Sequence, residues 1–73
     1  MDLNKLHIFR DVVQAGSFTK GALQLKLPKS RVSRIISALE RDLGVQLIYR
    51  TTRQFQLTQA GLELFNRLNP ILH

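Results

Sequence analysis

The chain has 73 residues and a formal net charge of +6, with eleven lysines and arginines against five acids and no cysteine. That length holds one small domain, with little room for a catalytic cleft beside a core. Disulfides and thiolate metal sites are excluded, a reducing cytoplasm suits the composition, and no apolar run approaches the roughly 20 residues of a membrane span. The start, Met1-Asp2-Leu3-Asn4-Lys5, does not read as a signal peptide. The positive excess is local. Residues 1–17 and 54–73 are each balanced. Residues 20–53 carry Lys20, Lys26, Lys29, Arg31, Arg34, Arg41, Arg50 and Arg53 against only Glu40 and Asp42. Such a patch is the footprint of a polyanion binder, and also of an ordinary solvated surface.

Leu3, Leu6, Phe9 and Val12/Val13 recur at helical spacing, so residues 2–15 are expected to form a helix capped by Asp2 and stopped by Gly16. Ser17 then caps a short helix over 18–25 with Phe18, Ala22 and Leu25 on its apolar stripe. Gly21 lies inside it, where a second helix can approach closely. Pro28 suits the first turn of a third helix, running to about Asp42 and ended by Gly44. At about 100° per residue, Val32, Ile36, Leu39 and Leu43 share one narrow face of it. Ser30, Arg34, Ser37 and Arg41 gather on the opposite side. Val45, Leu47, Ile48, Tyr49, Phe55 and Leu57 favour extended structure, and Thr51-Thr52-Arg53 between them reads as the turn of a short hairpin. Thr58 is placed as the cap of a last helix, Leu57 and Leu62 are spaced as a hydrophobic staple, and Leu62, Phe65 and Leu68 continue the stripe until Pro70.

Two helices joined by a tight turn, the second with a polar, basic outer face, form a helix-turn-helix, here spanning about 18–42. The N-terminal part of its second helix holds Lys29, Ser30, Arg31, Ser33 and Arg34. Between Lys26 and Arg34 there are four bases and no acid, whereas a generic surface helix would mix both signs. Arginine and lysine can donate to guanine O6 and N7, and serine can meet a base or a phosphate. Ser37 lies further along the same face. Arg50 and Arg53 flank the hairpin turn, where they can reach a flanking groove or phosphates. The alternative for them is turn decoration or a pair with Glu40 or Asp42.

Other chemistry lacks support. His7 has no second ligand at metal spacing, the serines have no sequence-adjacent triad partners, and no glycine-rich phosphate loop occurs. Neither a metal nor a cofactor is expected, and the chain is not read as an enzyme. The phenylalanines fall on apolar stripes rather than between basic residues, which argues against an RNA platform. Two readings remain: duplex DNA binding, and a winged-helix protein-interaction module that docks a partner through the wing or the apolar side of Leu62, Phe65 and Leu68.

At this point the sequence resembles the LysR-type transcriptional regulators over nearly its whole length. The resemblance is carried by Leu3…Leu6…Phe9, Ala15-Gly16-Ser17-Phe18-Thr19, Ser30…Val32-Ser33-Arg34…Ile36…Leu39-Glu40, Leu43-Gly44-Val45…Leu47, Arg50, Arg53 and Leu57-Thr58…Ala60-Gly61. It implies a mainly α winged helix-turn-helix over residues 1–58, with a three-helix core and a short β-hairpin wing at 45–57. Residues 59–73 would begin a linker helix that pairs two copies in a homodimer, with higher oligomers in the full-length protein. The implied partner is double-stranded DNA carrying an interrupted inverted repeat, in a cytoplasmic bacterial regulator whose effector-binding domain is absent from these 73 residues. The family's DNA-contacting positions fall on Lys29, Ser30, Ser33, Arg34 and Arg53. The chain departs from the family pattern at Pro28-Lys29, where many members have Ser or Thr then Gln, so a point charge replaces a bidentate amide. Arg31 stands where a small residue is common, Lys20-Gly21 where alanines are usual, and Ile48 where phenylalanine is usual.

Overall fold

The computed structural model describes residues 2–50 and 54–68, so the Arg53 turn and Pro70 of the sequence reading lie outside the described residues. Among the described residues four helices follow one another: α1 (Leu3–Ala15), α2 (Phe18–Leu25), α3 (Lys29–Leu43) and α4 (Gln59–Leu68). Their ends follow local chemistry. Asp2 Oδ1 accepts from the Asn4 N–H at 2.9 Å, Ser17 Oγ from Lys20 N–H at 3.0 Å, and Thr58 Oγ1 from Gly61 N–H at 3.0 Å. Each satisfies an amide that a helix start leaves without a partner. Gly16 (φ 85°) and Gly44 (φ 73°) close α1 and α3 in the left-handed conformation, as the sequence predicts.

One boundary departs from the sequence reading, and the end of α2 falls where the sequence puts it, at Leu25, but closes through a residue that the sequence does not mark. Pro28 is the cap of α3 and not its first residue, with φ −62° and ψ 143° in the extended region. The last turn of α2 closes through Lys26, a non-glycine residue at φ 59°, while Leu27 N–H reaches back to Ala22 O at 3.0 Å. The back-bonding outweighs the roughly 1 kcal/mol that the left-handed region costs a side-chain-bearing residue.

The core joins α1 (Ile8, Phe9, Val12), α2 (Ala22), α3 (Val32, Ile36, Leu39) and the start of the wing (Leu47, Ile48), all buried. The predicted inner face of α3 is therefore the observed one, with Leu43 packed at its margin. On α1 the stripe is shifted. Ile8 is buried, whereas Leu3, in the first turn, stays 68% exposed. Gly21 is buried against Val12, whose Cα lies 3.0 Å from where a methyl at Gly21 would stand, so the glycine sets the approach of α1 and α2.

The wing is narrower than the two strands expected. Among the described residues it holds one antiparallel bridge, Ile48 to Leu57, flanked by Tyr49 N–H to Gln56 O and Thr58 N–H to Leu47 O, both 3.0 Å. The reason is chemical. The Leu47 amide donates to Glu40 Oε2 at 2.7 Å and not to the returning arm, and the Ile48 amide, which faces away from that arm, donates to the same oxygen at 3.2 Å. On α4, Phe65 and Leu68 pack against the core with Leu64, and only Leu62 of the predicted apolar side faces outward, at 45% exposure. That corrects the reading of Leu62, Phe65 and Leu68 as one open docking stripe: the helix turns two of the three inward.

Lys5 on α1 and Asp42 near the end of α3 form an ion pair at 2.9 Å. The hydrogen bond from Lys5, with its charge, holds the Asp42 carboxyl below its ordinary pKa. A depressed folded-state pKa contributes stability above the unfolded value and loses it as pH falls through the folded one. Asp42→Asn is therefore expected to lower the urea midpoint at neutral pH and to leave it unchanged in strong acid, where both chains lack the charge. An equal loss at both pH values would mean that the pair is not coupled to folding.

Candidate nucleic-acid interface

Helix α3 turns Val32, Ile36 and Leu39 inward because they recur at three and four residues, which leaves the intervening positions on its outer side. Lys29, Ser30, Arg31 and Arg34 are exposed there, and Ser33 is half-buried. None of Lys29, Arg31 and Arg34 has an ion pair among the described residues. Meanwhile both acids of the basic segment are taken: Asp42 by Lys5, and Glu40 by Arg50, whose Nη2 lies 3.1 Å from Glu40 Oε1. The structure thus removes the negative charge from this side and leaves the positive charge uncompensated.

The start of α3 adds to that field. Pro28 provides no side-chain cap, and the first turn contains no acidic residue. The Arg31 and Val32 amides fold back to Pro28 O at 3.0 and 3.1 Å, and the first amides of the helix point out at its positive end. Helix α2 likewise has no acid in its first turn. The two starts border one groove of about 430 Å³, lined by Ser17, Phe18 and Thr19 from α2, Lys29 from α3, and Tyr49, Arg50, Gln54 and Phe55 from the wing. A concave, hydroxyl-rich cleft beside two helix starts can receive a sugar–phosphate strand.

The remaining sequence candidates behave differently. Ser37 and Arg50 are joined to each other, Arg50 Nη2 donating to Ser37 Oγ at 3.3 Å. Of the two acids that the sequence offered Arg50, the structure selects Glu40. Arg53 lies outside the described residues. Sequence reasoning passed over Thr19 and Tyr49. Thr19 enters the sequence reading as part of a short helix and of the family resemblance but not as a site residue, although a hydroxyl two residues after a cap serine sits at the helix start. Tyr49 was read as a strand former, although its place beside Arg50 put a phenol at the wing root, where it is 44% exposed.

Comparison with known proteins bears on the family and the fold. The family model for bacterial regulatory helix-turn-helix proteins of the lysR family matches residues 3–62. The transcriptional regulator CrgA of Neisseria meningitidis is 48% identical over 68 residues, 93% of this chain and 23% of CrgA. Full-length AphB, the Vibrio cholerae virulence activator, superposes with a TM-score of 0.90 at 36% identity, covering 99% of this chain and 25% of AphB. The BenM DNA-binding domain, solved in complex with catB site 1 DNA, superposes with a TM-score of 0.86 at 37% identity, covering 92% of this chain and 74% of that one. The chain spans about a quarter of the length of the curated relatives it matches.

Proposed function

Because this chain belongs to the lysR family of bacterial regulatory helix-turn-helix proteins, we propose that its winged helix-turn-helix reads duplex DNA in a sequence-specific manner. Helix α3 lies in the major groove, about 12 Å wide and able to admit one helix. Lys29, Ser30, Arg31, Ser33 and Arg34 face the base edges and adjoining phosphates, and Arg53 carries the wing to the flanking DNA. The observation that carries this reading is the unpaired cationic start of α3, with the acids of the same segment engaged elsewhere. The BenM domain, a member of like fold, is solved with DNA, which supports the same use here.

In this reading residues 1–58 form the reader. Residues 59–73 begin a linker helix through which two copies pair, so that two readers meet the halves of an interrupted inverted repeat. The outward Leu62 is the side chain of α4 available to that pairing. A longer regulator, acting in the cytoplasm as a transcription factor and not as an enzyme, would supply the effector-sensing part. That Phe65 and Leu68 are packed inward weakens the rival protein-docking reading.

Arg34→Ala is expected to cost about 1–3 kcal/mol on a selected duplex and much less on random duplex, if Arg34 reads a base. Fluorescence anisotropy with both duplexes at two salt concentrations checks it. Equal losses on the two would place Arg34 on phosphate. Binding that ignores salt would remove the electrostatic basis of the proposal, since counterion release should make affinity fall steeply.

A further inference from the structure

Arg50 stands at the root of the wing and reaches two helices at once. Its Nη2 donates to Glu40 Oε1 at 3.1 Å and to Ser37 Oγ at 3.3 Å, both on α3. Its guanidinium carbon lies 5.0 Å from the centroid of the Phe18 ring, at the start of α2. Phe18 in turn meets Phe55, on the returning arm of the wing, edge to face at 5.9 Å. The other oxygen of Glu40 holds the Leu47 and Ile48 amides. One guanidinium and one carboxylate therefore tie the first arm of the wing to the two helices of the helix-turn-helix, and Phe18 links the returning arm to the same cluster through Phe55. The one bridge among the described residues, from Ile48 to Leu57, is too short a ladder to fix the angle of the wing unaided.

We infer that Arg50 is a positioning residue: together with Glu40 it sets the angle between the wing and α3, so that wing and recognition helix meet one duplex in register. This rests on the DNA reading proposed above and reassigns Arg50 within it, from a phosphate contact to the brace behind the contacts. A guanidinium suits the task because its planar fork can serve a carboxylate and a hydroxyl while stacking on an aromatic face, which an ammonium cannot do together. Its charge is spent on Glu40, so it adds little to the field at the DNA face.

The test uses the 73-residue chain and a duplex recovered by selection from a random pool. The duplex is prepared in full and in a form trimmed to the base pairs that the recognition helix selects. The parent should favour the full duplex roughly tenfold, the value of one or two charge-assisted contacts from the wing. Arg50→Met and Glu40→Gln should both bring that preference close to one while leaving affinity for the trimmed duplex within about twofold. Glu40→Gln keeps an acceptor for the Leu47 and Ile48 amides, so the fold survives it. Arg50→Lys, expected to fall between parent and Arg50→Met, replaces the latter if melting curves show it unfolded at the assay temperature. Loss of the preference in Arg50→Met but not in Glu40→Gln would make Arg50 a direct contact and overturn the inference. Retention in both would reduce the brace to packing and overturn it equally. A parent that binds both lengths alike overturns the inference and leaves the DNA reading standing, whereas a parent that binds neither overturns the reading itself.

Discussion

Gly61→Ala is expected to lower the thermal midpoint by at least about 12 °C. Gly61 lies in the first turn of α4, buried where that helix crosses the wing root. A methyl at this position would enter the space of the Leu47 carbonyl oxygen and come within 3.0 Å of its carbonyl carbon. The obstacle is backbone, which cannot turn aside as a side chain can. The same oxygen accepts the Thr58 N–H at 3.0 Å, so moving it breaks the bond that seats α4 on the wing. Overpacking against a fixed neighbour costs about 3 kcal/mol, after the gain of up to about 1 kcal/mol that alanine brings to a helix. A domain of this size has only about 4–11 kcal/mol in total, and each kcal/mol moves its midpoint by about 4–8 °C. Calorimetry or circular dichroism on the variant decides it. A shift of less than about 2 °C would show that α4 does not pass so close to Leu47.

The second large effect is at Glu40. Its side chain is 14% exposed and accepts three hydrogen bonds: from the Leu47 and Ile48 amides and from Arg50. Glu40→Ala leaves two amides at buried residues without their acceptor and frees a guanidinium held beside Phe18. Losses of this kind amount to about 1–3 kcal/mol for each stranded group, and we expect about 3 kcal/mol for the set. Glu40→Gln, which retains an oxygen for the amides, should lose less than half as much. Urea unfolding of the two variants at neutral pH measures the difference. Equal losses would mean that the charge facing Arg50 matters and the amide bonds do not.

What the sequence disclosed and what it withheld divide along distance in the chain. Asp2, Ser17 and Thr58 cap helices through bonds two or three residues long, and Gly16 and Gly44 stop helices at their own positions, so short-range chemistry was enough to read them. The buried face of α3 was legible because three- and four-residue spacing maps directly onto one side of a helix. Glu40 was not, because its partners lie 7 to 10 residues away across a loop. Its neighbour Asp42 offered the same charge to Arg50. Two residues of helix turn the pair about 200° apart, so Glu40 faces the wing while Asp42 faces Lys5 on α1. Lys26 was hidden for a different reason: nothing about lysine marks a left-handed turn, and only the closure of α2 onto Leu27 imposes it. At the interface, the cations of α3 were visible as a run without acids. The cleft that brings Thr19 and Tyr49 beside Lys29 exists only once α2, α3 and the wing have met.

The acid-free starts of α2 and α3 have a thermodynamic consequence. Proteins commonly place an aspartate or glutamate in the opening turn, for about 0.3–1 kcal/mol apiece, and neither helix does so here. The apo domain is accordingly less robust than its helices would permit. An anion lodged at those two starts supplies the missing complement and, by mass action, stabilises the native state against unfolding. On the DNA reading, fragility of the free form and strength of the bound form are one property: the carboxylates that would steady the domain in solution are the ones that would repel its target.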